Sequence, residues 1–155
     1  MAIEIEKKFI VINNDWKNFV KDKFLIKQAY LSENNQITSR IRITSDNAYL
    51  TIKGVQINIS RQEFEYKIPM NDAEQLFLLS SHQIFKTRYI LEYLNDEWVI
   101  DVFEKNLLGL IIAEIELKTE NQKFVFPTWI GEEVSSDLRY SNLNLAKLNK
   151  IPKLN

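Results

Sequence analysis

The stretch Ile3-Glu4-Ile5-Glu6-Lys7-Lys8-Phe9 alternates apolar and charged residues, interrupted only at Lys7. A period of two is typical of a β-strand that turns one face to an apolar core and the other to a polar environment. The same pattern recurs along the chain and predicts eight strands. We place them at residues 4–12, 25–32, 37–44, 47–54, 60–68, 85–94, 97–104 and 111–119.

The order of these strands predicts the fold class. Short polar links such as Ser45-Asp46-Asn47 are typical of hairpins, and the chain has only three glycines and three prolines. Eight consecutive strands with few helices indicate an antiparallel meander that closes on itself. Closure removes the unpaired edges that such a long sheet would expose. We therefore expect a mainly β protein, a closed eight-stranded antiparallel barrel, in one domain over residues 1–155.

Three segments break the alternation. Residues 14–23 predict a short helix with Asn14 as its N-cap. Residues 69–80 predict a second helix, with Asn71 as N-cap and Glu74 three residues later. From Pro127 onward the pattern is mixed, and we expect a turn and one or two short helices. These helices should lie outside the barrel and at the tail.

The composition narrows the possible functions. The chain has no cysteine and one histidine, so thiolate sites, multi-histidine zinc sites and cysteine nucleophiles are excluded. Metal chemistry is then limited to oxygen ligands, which suit Mg²⁺, Mn²⁺ or Ca²⁺. The formal net charge of -1 gives no sign of a nucleic-acid or membrane partner. No signal peptide or membrane-spanning run is evident, so we expect a cytoplasmic protein. We expect it to be a monomer or a homodimer.

The polar strand faces are almost entirely charged, and the charges are balanced in sign. Arginine leads among the bases, and its planar fork matches phosphate oxygens better than an ammonium group does. The acids recur as Glu-x-Glu pairs, whose two carboxylates can hold one hard cation. The seven bases are Lys8, Arg40, Arg42, Lys53, Arg61, Lys86 and Arg88, and the seven acids are Glu4, Glu6, Glu63, Glu65, Asp101, Glu114 and Glu116.

Two arrangements are compatible with this pattern. A charged face usually points to solvent, which would make the protein an all-β interaction domain with a packed interior. Alternatively, the charged face lines the barrel interior, where burial is costly unless the charges pair or meet a charged ligand. A polyphosphate with bound metal meets both signs at once, because bases bind its oxygens and acids bind its metal.

The charged motifs resemble those of a known family. Glu4-Ile5-Glu6-Lys7-Lys8 matches the E-x-E-x-K signature of the CYTH superfamily, also called triphosphate tunnel metalloenzymes. The later elements follow in the family's order, and the similarity runs from residue 4 to about residue 146. They are Arg40-Ile41-Arg42, Thr51-Ile52-Lys53, Glu63-Phe64-Glu65, Lys86-Thr87-Arg88, Asp101-Val102-Phe103, Glu114-Ile115-Glu116 and the tail at 129–142.

The resemblance implies a barrel with a charged tunnel and a triphosphatase that needs Mg²⁺ or Mn²⁺. Its triphosphate-binding positions here are Lys8, Arg40, Arg42, Lys53, Lys86, Arg88 and Arg139. Its acidic, metal-binding positions are Glu4, Glu6, Glu63, Glu65, Asp101, Glu114 and Glu116. Catalysis is expected from Glu4, Glu6, Lys8, Asp101 and Glu116, with Glu4, Glu6 and Glu116 as the first choice for the metal.

Several alternatives stay open at this point. Inorganic triphosphate is the first expectation for the substrate, with thiamine triphosphate and nucleoside triphosphates as alternatives. The chain could also bind triphosphate, nucleotide or polyphosphate without turnover. Adenylate cyclase activity is less favoured, because the cyclase branch of the family carries a histidine shortly before the E-x-E-x-K motif and this chain does not.

Overall fold

The structure is a computed structural model that describes residues 3–34 and 36–154, except for the side chain of Glu33. Strands are β1 Ile3–Val11, β2 Val20–Glu33, β3 Thr38–Ile43, β4 Ala48–Lys53, β5 Ser60–Ile68, β6 Gln83–Tyr93, β7 Asp96–Phe103, β8 Ile111–Glu116 and β9 Ile130–Glu133. The α-helices are α1 Met70–Leu79 and α2 Asn142–Leu148. Short 3₁₀ helices span Asp15–Phe19, Lys105–Leu107 and Leu138–Tyr140.

The strands form a closed antiparallel barrel, as predicted. They are ordered β5-β4-β3-β2-β6-β7-β8-β1, and β1 also pairs with β5. The closing pair aligns Glu4 with Arg61 and Ile3 with Gln62. Strand β9 lies outside this ring and pairs with the second half of β1, where Phe9 faces Glu133. Closure gives both edge strands, β1 and β5, a partner on each side.

Two apolar clusters cover the outside of the barrel. One surrounds Trp16, Trp98 and Trp129, all buried against β1, β7 and β8. The other places Phe77 and Ala73 of α1 against Ile41 of β3. The outward-facing residues of these strands are therefore packed, and the charged residues that alternate with them point inward.

A third apolar cluster plugs one end of the barrel interior. Ile84 lies on the same face of β6 as Lys86, and Ile112 lies on the same face of β8 as Glu114. Leu145 of α2 packs against both isoleucines in this cluster. The interior is thus apolar where α2 enters it and charged further along the tunnel.

The helix predicted over residues 14–23 is wrong. A 3₁₀ helix covers Asp15–Phe19, and strand β2 already begins at Val20. The chain extends here because β6 offers a partner as far as Leu91, which faces Val20. Asn14 makes no side-chain cap, and the ring of Trp16 packs edge-on against Tyr89, 4.9 Å between centroids.

The second predicted helix is present, but its start differs. Helix α1 begins at Met70 with Pro69 as N-cap, so Asn71 lies inside the first turn instead of capping it. The tail contains the short helices expected there and also β9, which the mixed sequence pattern did not reveal. Among residues 3–34 and 36–154, neither α-helix has the length and apolar content needed to cross a membrane.

The apolar plug predicts a large stability difference between two leucines of α2. Leu145→Ala should lower the free energy of unfolding by about 2–5 kcal/mol, because it leaves a cavity in the buried cluster. Leu148→Ala is the matched control, because Leu148 is 52% exposed, and it should lower the free energy of unfolding much less. Urea unfolding of both variants measures this, and equal losses would contradict the plug.

Candidate functional site

An internal cavity of about 500 Å³ runs through the charged part of the barrel. Strands β1, β3, β4, β5, β6 and β8 each turn charged side chains into it. The interpretation of these faces as solvated outer surfaces is therefore wrong. The lining includes Glu4, Glu6, Lys8, Arg40, Arg42, Lys53, Glu63, Glu65, Arg88, Glu114 and Glu116.

Acids and bases neutralise one another across the cavity. Lys53 Nζ lies 2.8 Å from Glu4 Oε2 and 3.0 Å from Glu63 Oε2. Lys8 Nζ lies 3.4 Å from Glu6 and 3.9 Å from Glu114. Burial opposes the charged form of Lys8, but these glutamates outweigh it and raise its pKa above the ordinary value. The pairing explains how so many charges can be held inside the barrel.

One hydrogen-bond donor of Arg40 has no acceptor among the described residues. Its side chain is almost fully buried, and Nη2 donates to Thr51 Oγ1 at 3.1 Å. The Thr51 hydroxyl in turn donates to Glu65, and Arg40 Nη2 lies 3.6 Å from the same carboxylate. Its Nε is buried without a partner among the described residues. Buried N–H groups are seldom left unpaired, so the hydrogen bonding of this side chain is incomplete within the described part of the chain.

Asp101 and its partner Lys86 both have 0% of their surface exposed. Its two oxygens accept hydrogen bonds from Arg88 Nε at 2.8 Å, Arg88 Nη2 at 2.9 Å and Lys86 Nζ at 2.7 Å. Burial alone would raise the pKa of Asp101, but Arg88 and Lys86 hold it well below the usual range. Asp101 therefore stays ionised and fixes the orientation of the Arg88 guanidinium toward the cavity.

Lys86 is buried beside Asp101 and does not line the cavity. Burial, outweighing the attraction of Asp101, lowers the pKa of Lys86 to about 7. Its ammonium group also donates to Asn142 Oδ1 at 3.0 Å. Lys86 and Asp101 thus do not reach the cavity themselves. They hold Arg88 and Asn142, whose side chains line it.

Arg139 lies apart from the cavity. Its guanidinium pairs with Asp137 at 2.6 Å and donates to the backbone oxygen of Lys153. The structure therefore brings five of the seven proposed triphosphate-binding bases onto the cavity wall and leaves Lys86 and Arg139 off it. Of the seven proposed acids, all but Asp101 line the cavity.

Among the described residues, Glu116 lines the cavity without an ion-pair partner, as Asp96 and Glu97 also do, whereas the five other predicted acids of the wall are paired. Partial removal from water, followed by the nearby charges of Glu4, Glu6 and Glu63, raises the pKa of Glu116. Repelling carboxylate oxygens are the donor set that a hard divalent cation relieves. Within residues 3–34 and 36–154, however, no three acidic or histidine side chains already converge on one cation position.

Two polar residues of the site have no counterpart among the predicted site residues. Asn142 lines the cavity, and its side-chain oxygen accepts from Gln28 Nε2 at 3.3 Å as well as from Lys86. Gln28 Oε1 accepts from Arg42 Nε at 3.1 Å. The alternation of β2 places Gln28 on the inner face, but contacts between residues 114 positions apart leave no local signal.

Comparison with known proteins shows similarity across the whole barrel. The CYTH domain family model matches residues 2–153. An inorganic triphosphatase of Acetivibrio thermocellus is 42% identical over 149 residues, covering 95% of this chain and 95% of that protein. One of Nitrosomonas europaea is 32% identical over 148 residues, covering 92% and 96%. The crystal structure of the inorganic triphosphatase NE1496 gives a TM-score of 0.67 at 31% identity, with 99% of both chains covered.

The enclosed carboxylate yields a stability prediction. Asp101→Asn should lower the free energy of unfolding by about 3–5 kcal/mol, because it removes the buried anion with which Lys86 and Arg88 pair. Asp137→Asn removes a half-buried carboxylate that also pairs with an arginine, and it should lower the free energy of unfolding far less. Chemical denaturation compares the two, and similar small losses would show that Asp101 does not anchor the site.

Proposed function

Because the chain belongs to the CYTH domain family, we propose that it is an enzyme that hydrolyses inorganic triphosphate inside its barrel, with Mg²⁺ or Mn²⁺ as cofactor. The observation that carries the proposal is the enclosed cavity lined by both bases and acids. The relatives named inorganic triphosphatase, at 42% and 32% identity over nearly the whole chain, support the same substrate.

The bases on the cavity wall are suited to bind the phosphate oxygens. Arg40 lines the cavity, and Arg88 is oriented by Asp101. Lys8 and Lys53 can exchange their present glutamate partners for phosphate oxygens without leaving the cavity. Each exchange replaces one ion pair with another, so binding leaves no buried cation uncompensated.

The carboxylates released by this exchange fit the cofactor. Glu4, Glu6 and Glu116 supply oxygen ligands of the kind that Mg²⁺ and Mn²⁺ prefer. When bound, the metal ion would neutralise phosphate charge and polarise the phosphorus–oxygen bonds. We assign Glu63, Glu65 and Glu114 as further acids of the metal site, and Asp101 supports it from behind through Arg88.

Hydrolysis requires a water molecule in line with the terminal phosphorus. The water oxygen bonds to that phosphorus, the bond to the bridging oxygen breaks, and pyrophosphate and orthophosphate leave. A carboxylate of the cavity accepts the water proton, while the arginines stabilise the charge that moves to the leaving oxygen. Lys86 and Arg139 would contribute indirectly, Lys86 through Asp101 and Arg139 only if its pair with Asp137 opens.

A non-catalytic triphosphate binder is the alternative function. Bases alone would suffice for such a protein, whereas eight acids also line this cavity, six of them among the predicted site residues. The unpaired Glu116 and its neighbouring carboxylates would only repel a metal-free anion. The acids therefore favour the metal-dependent enzyme over the binder.

The proposed function is tested by phosphate release. We expect release from inorganic triphosphate with Mg²⁺ or Mn²⁺, none in excess EDTA, and a loss of at least about a hundredfold in Glu6→Gln. Glu92→Gln is the matched control, because Glu92 is an exposed glutamate paired with Lys21. ATP and thiamine triphosphate are assayed alongside to rank substrates. Triphosphate binding without release under any condition would identify the binder instead.

The wall arginines predict a separate effect on affinity. Arg40→Ala should weaken triphosphate binding by about tenfold to hundredfold, because a charged hydrogen bond is worth about 1.5–3 kcal/mol. Lys21→Ala, which removes an exposed base, is the control and should bind as the wild type does. Titration calorimetry measures both affinities, and an unchanged value for Arg40→Ala would remove this residue from the site.

A further inference from the structure

Arg42 is held in the cavity by one contact. Unlike Arg40 and Arg88, it forms no ion pair with a carboxylate in the described part of the chain. Burial, followed by repulsion from Arg40 and Arg88, lowers the pKa of Arg42 to about 9. Its one side-chain hydrogen bond runs from Nε to Gln28 Oε1, at 3.1 Å. The direction in which this guanidinium points therefore depends on Gln28.

Gln28 is in turn oriented by Asn142. Because Gln28 Oε1 accepts from Arg42, its Nε2 must face the other way, toward Asn142 Oδ1 at 3.3 Å and the Tyr30 hydroxyl at 3.0 Å. Gln28 has 0% of its surface exposed, so water cannot readily replace a lost partner. The amide of Gln28 thus transmits the position of Asn142 to Arg42.

Asn142 is fixed by the buried ion pair behind the wall. Its Oδ1 also accepts from Lys86 Nζ at 3.0 Å, and Lys86 donates to Asp101 at 2.7 Å. Two donors on the same oxygen define which end of the Asn142 amide faces them. Asn142 is the first residue of α2, and Leu145 of that helix is locked in the apolar plug. Both the backbone and the side chain of Asn142 are therefore held in place.

We propose that Asn142 is a positioning residue of the triphosphate site: through Gln28 it aims Arg42 at the phosphates. This inference rests on the proposed function and deepens it, because it assigns to α2 a part in building the phosphate-binding wall. Asp101 then orients two arginines by two routes. It contacts Arg88 directly, and it reaches Arg42 through Lys86, Asn142 and Gln28. A merely structural Asn142 would satisfy Lys86 without affecting the ligand.

The test compares Asn142→Ala with Trp129→Phe, a stability control in the apolar cluster outside the barrel, away from the amide relay. Binding of imidotriphosphate, an analogue with nitrogen bridges, is measured by calorimetry with Mg²⁺ present, together with KM, kcat and Tm for triphosphate. We expect Asn142→Ala to raise Kd and KM about tenfold, with a smaller effect on kcat. Trp129→Phe should lower Tm and leave Kd unchanged.

A second variant breaks the relay closer to Arg42. Gln28→Met keeps the volume of the side chain but removes its amide, so it should raise Kd by a similar factor. In the double variant the two effects should overlap instead of multiplying, since both act on the same arginine. Gln28→Met also allows the test to proceed if Asn142→Ala does not fold.

Three outcomes would overturn the inference. A lowered Tm with unchanged Kd in Asn142→Ala would show a structural role only. Full multiplication of the two effects would show that Asn142 does not act through Gln28. Failure of the wild type to bind imidotriphosphate would overturn the inference and the proposed function together, whereas the first two outcomes leave the proposed function intact.

Discussion

The enclosed carboxylate of Asp101, paired with Arg88 and Lys86, is the interaction on which the site depends. The antiparallel register of β6 and β7 sets Arg88 directly opposite Asp101, so the pairing is built into the wall of the barrel. An isolated buried charge would be too costly to keep, but the hydrogen bonds from Arg88 and Lys86 keep the Asp101 carboxylate ionised. The arginine that results is rigid before any ligand arrives, which reduces the ordering that binding would otherwise require.

Barrel closure and ligand binding both require that charges of opposite sign be balanced in the interior. Closing eight strands with charged inner faces encloses both signs of charge, and the ion pairs of Lys8 and Lys53 show how they are balanced without a ligand. The balance is incomplete at Arg42 and at Glu116, which form no ion pair among the described residues, although Arg42 Nε donates a hydrogen bond to Gln28. An anion that carries a metal ion would supply the opposite charge to both, the anion at Arg42 and the metal at Glu116.

The alternation of the sequence predicted the strands and placed the charged residues on one face of each, but it left open whether that face points to solvent or to the interior. The family resemblance favoured the interior. Glu4, Glu6, Arg40 and Arg42 lie where that alternation and the family resemblance place them. Alternation shows which face of a strand a residue lies on, but not whether its side chain borders the cavity. Lys86 and Asp101 therefore could not be distinguished from the residues that line it.

Contacts between distant segments explain the other differences. Asn142 reaches Gln28 and Lys86 only because α2 folds back into the barrel end, and nothing in its local sequence signals this. The extension of β2 to Val20 and the addition of β9 likewise depend on partners far away in sequence. Local helix and cap propensities at Asn14 were outweighed by this pairing.

The central claim is that the balanced interior charges are a site for a metal–triphosphate complex. A crystal structure of the protein with Mn²⁺ and imidotriphosphate tests it most directly, because the anomalous signal of Mn²⁺ locates the metal independently of the phosphates. The account predicts Mn²⁺ at the carboxylates of Glu4, Glu6 and Glu116, and phosphate oxygens on Arg40, Arg42 and Arg88. Ligand density outside the barrel, with the interior ion pairs intact, would contradict it.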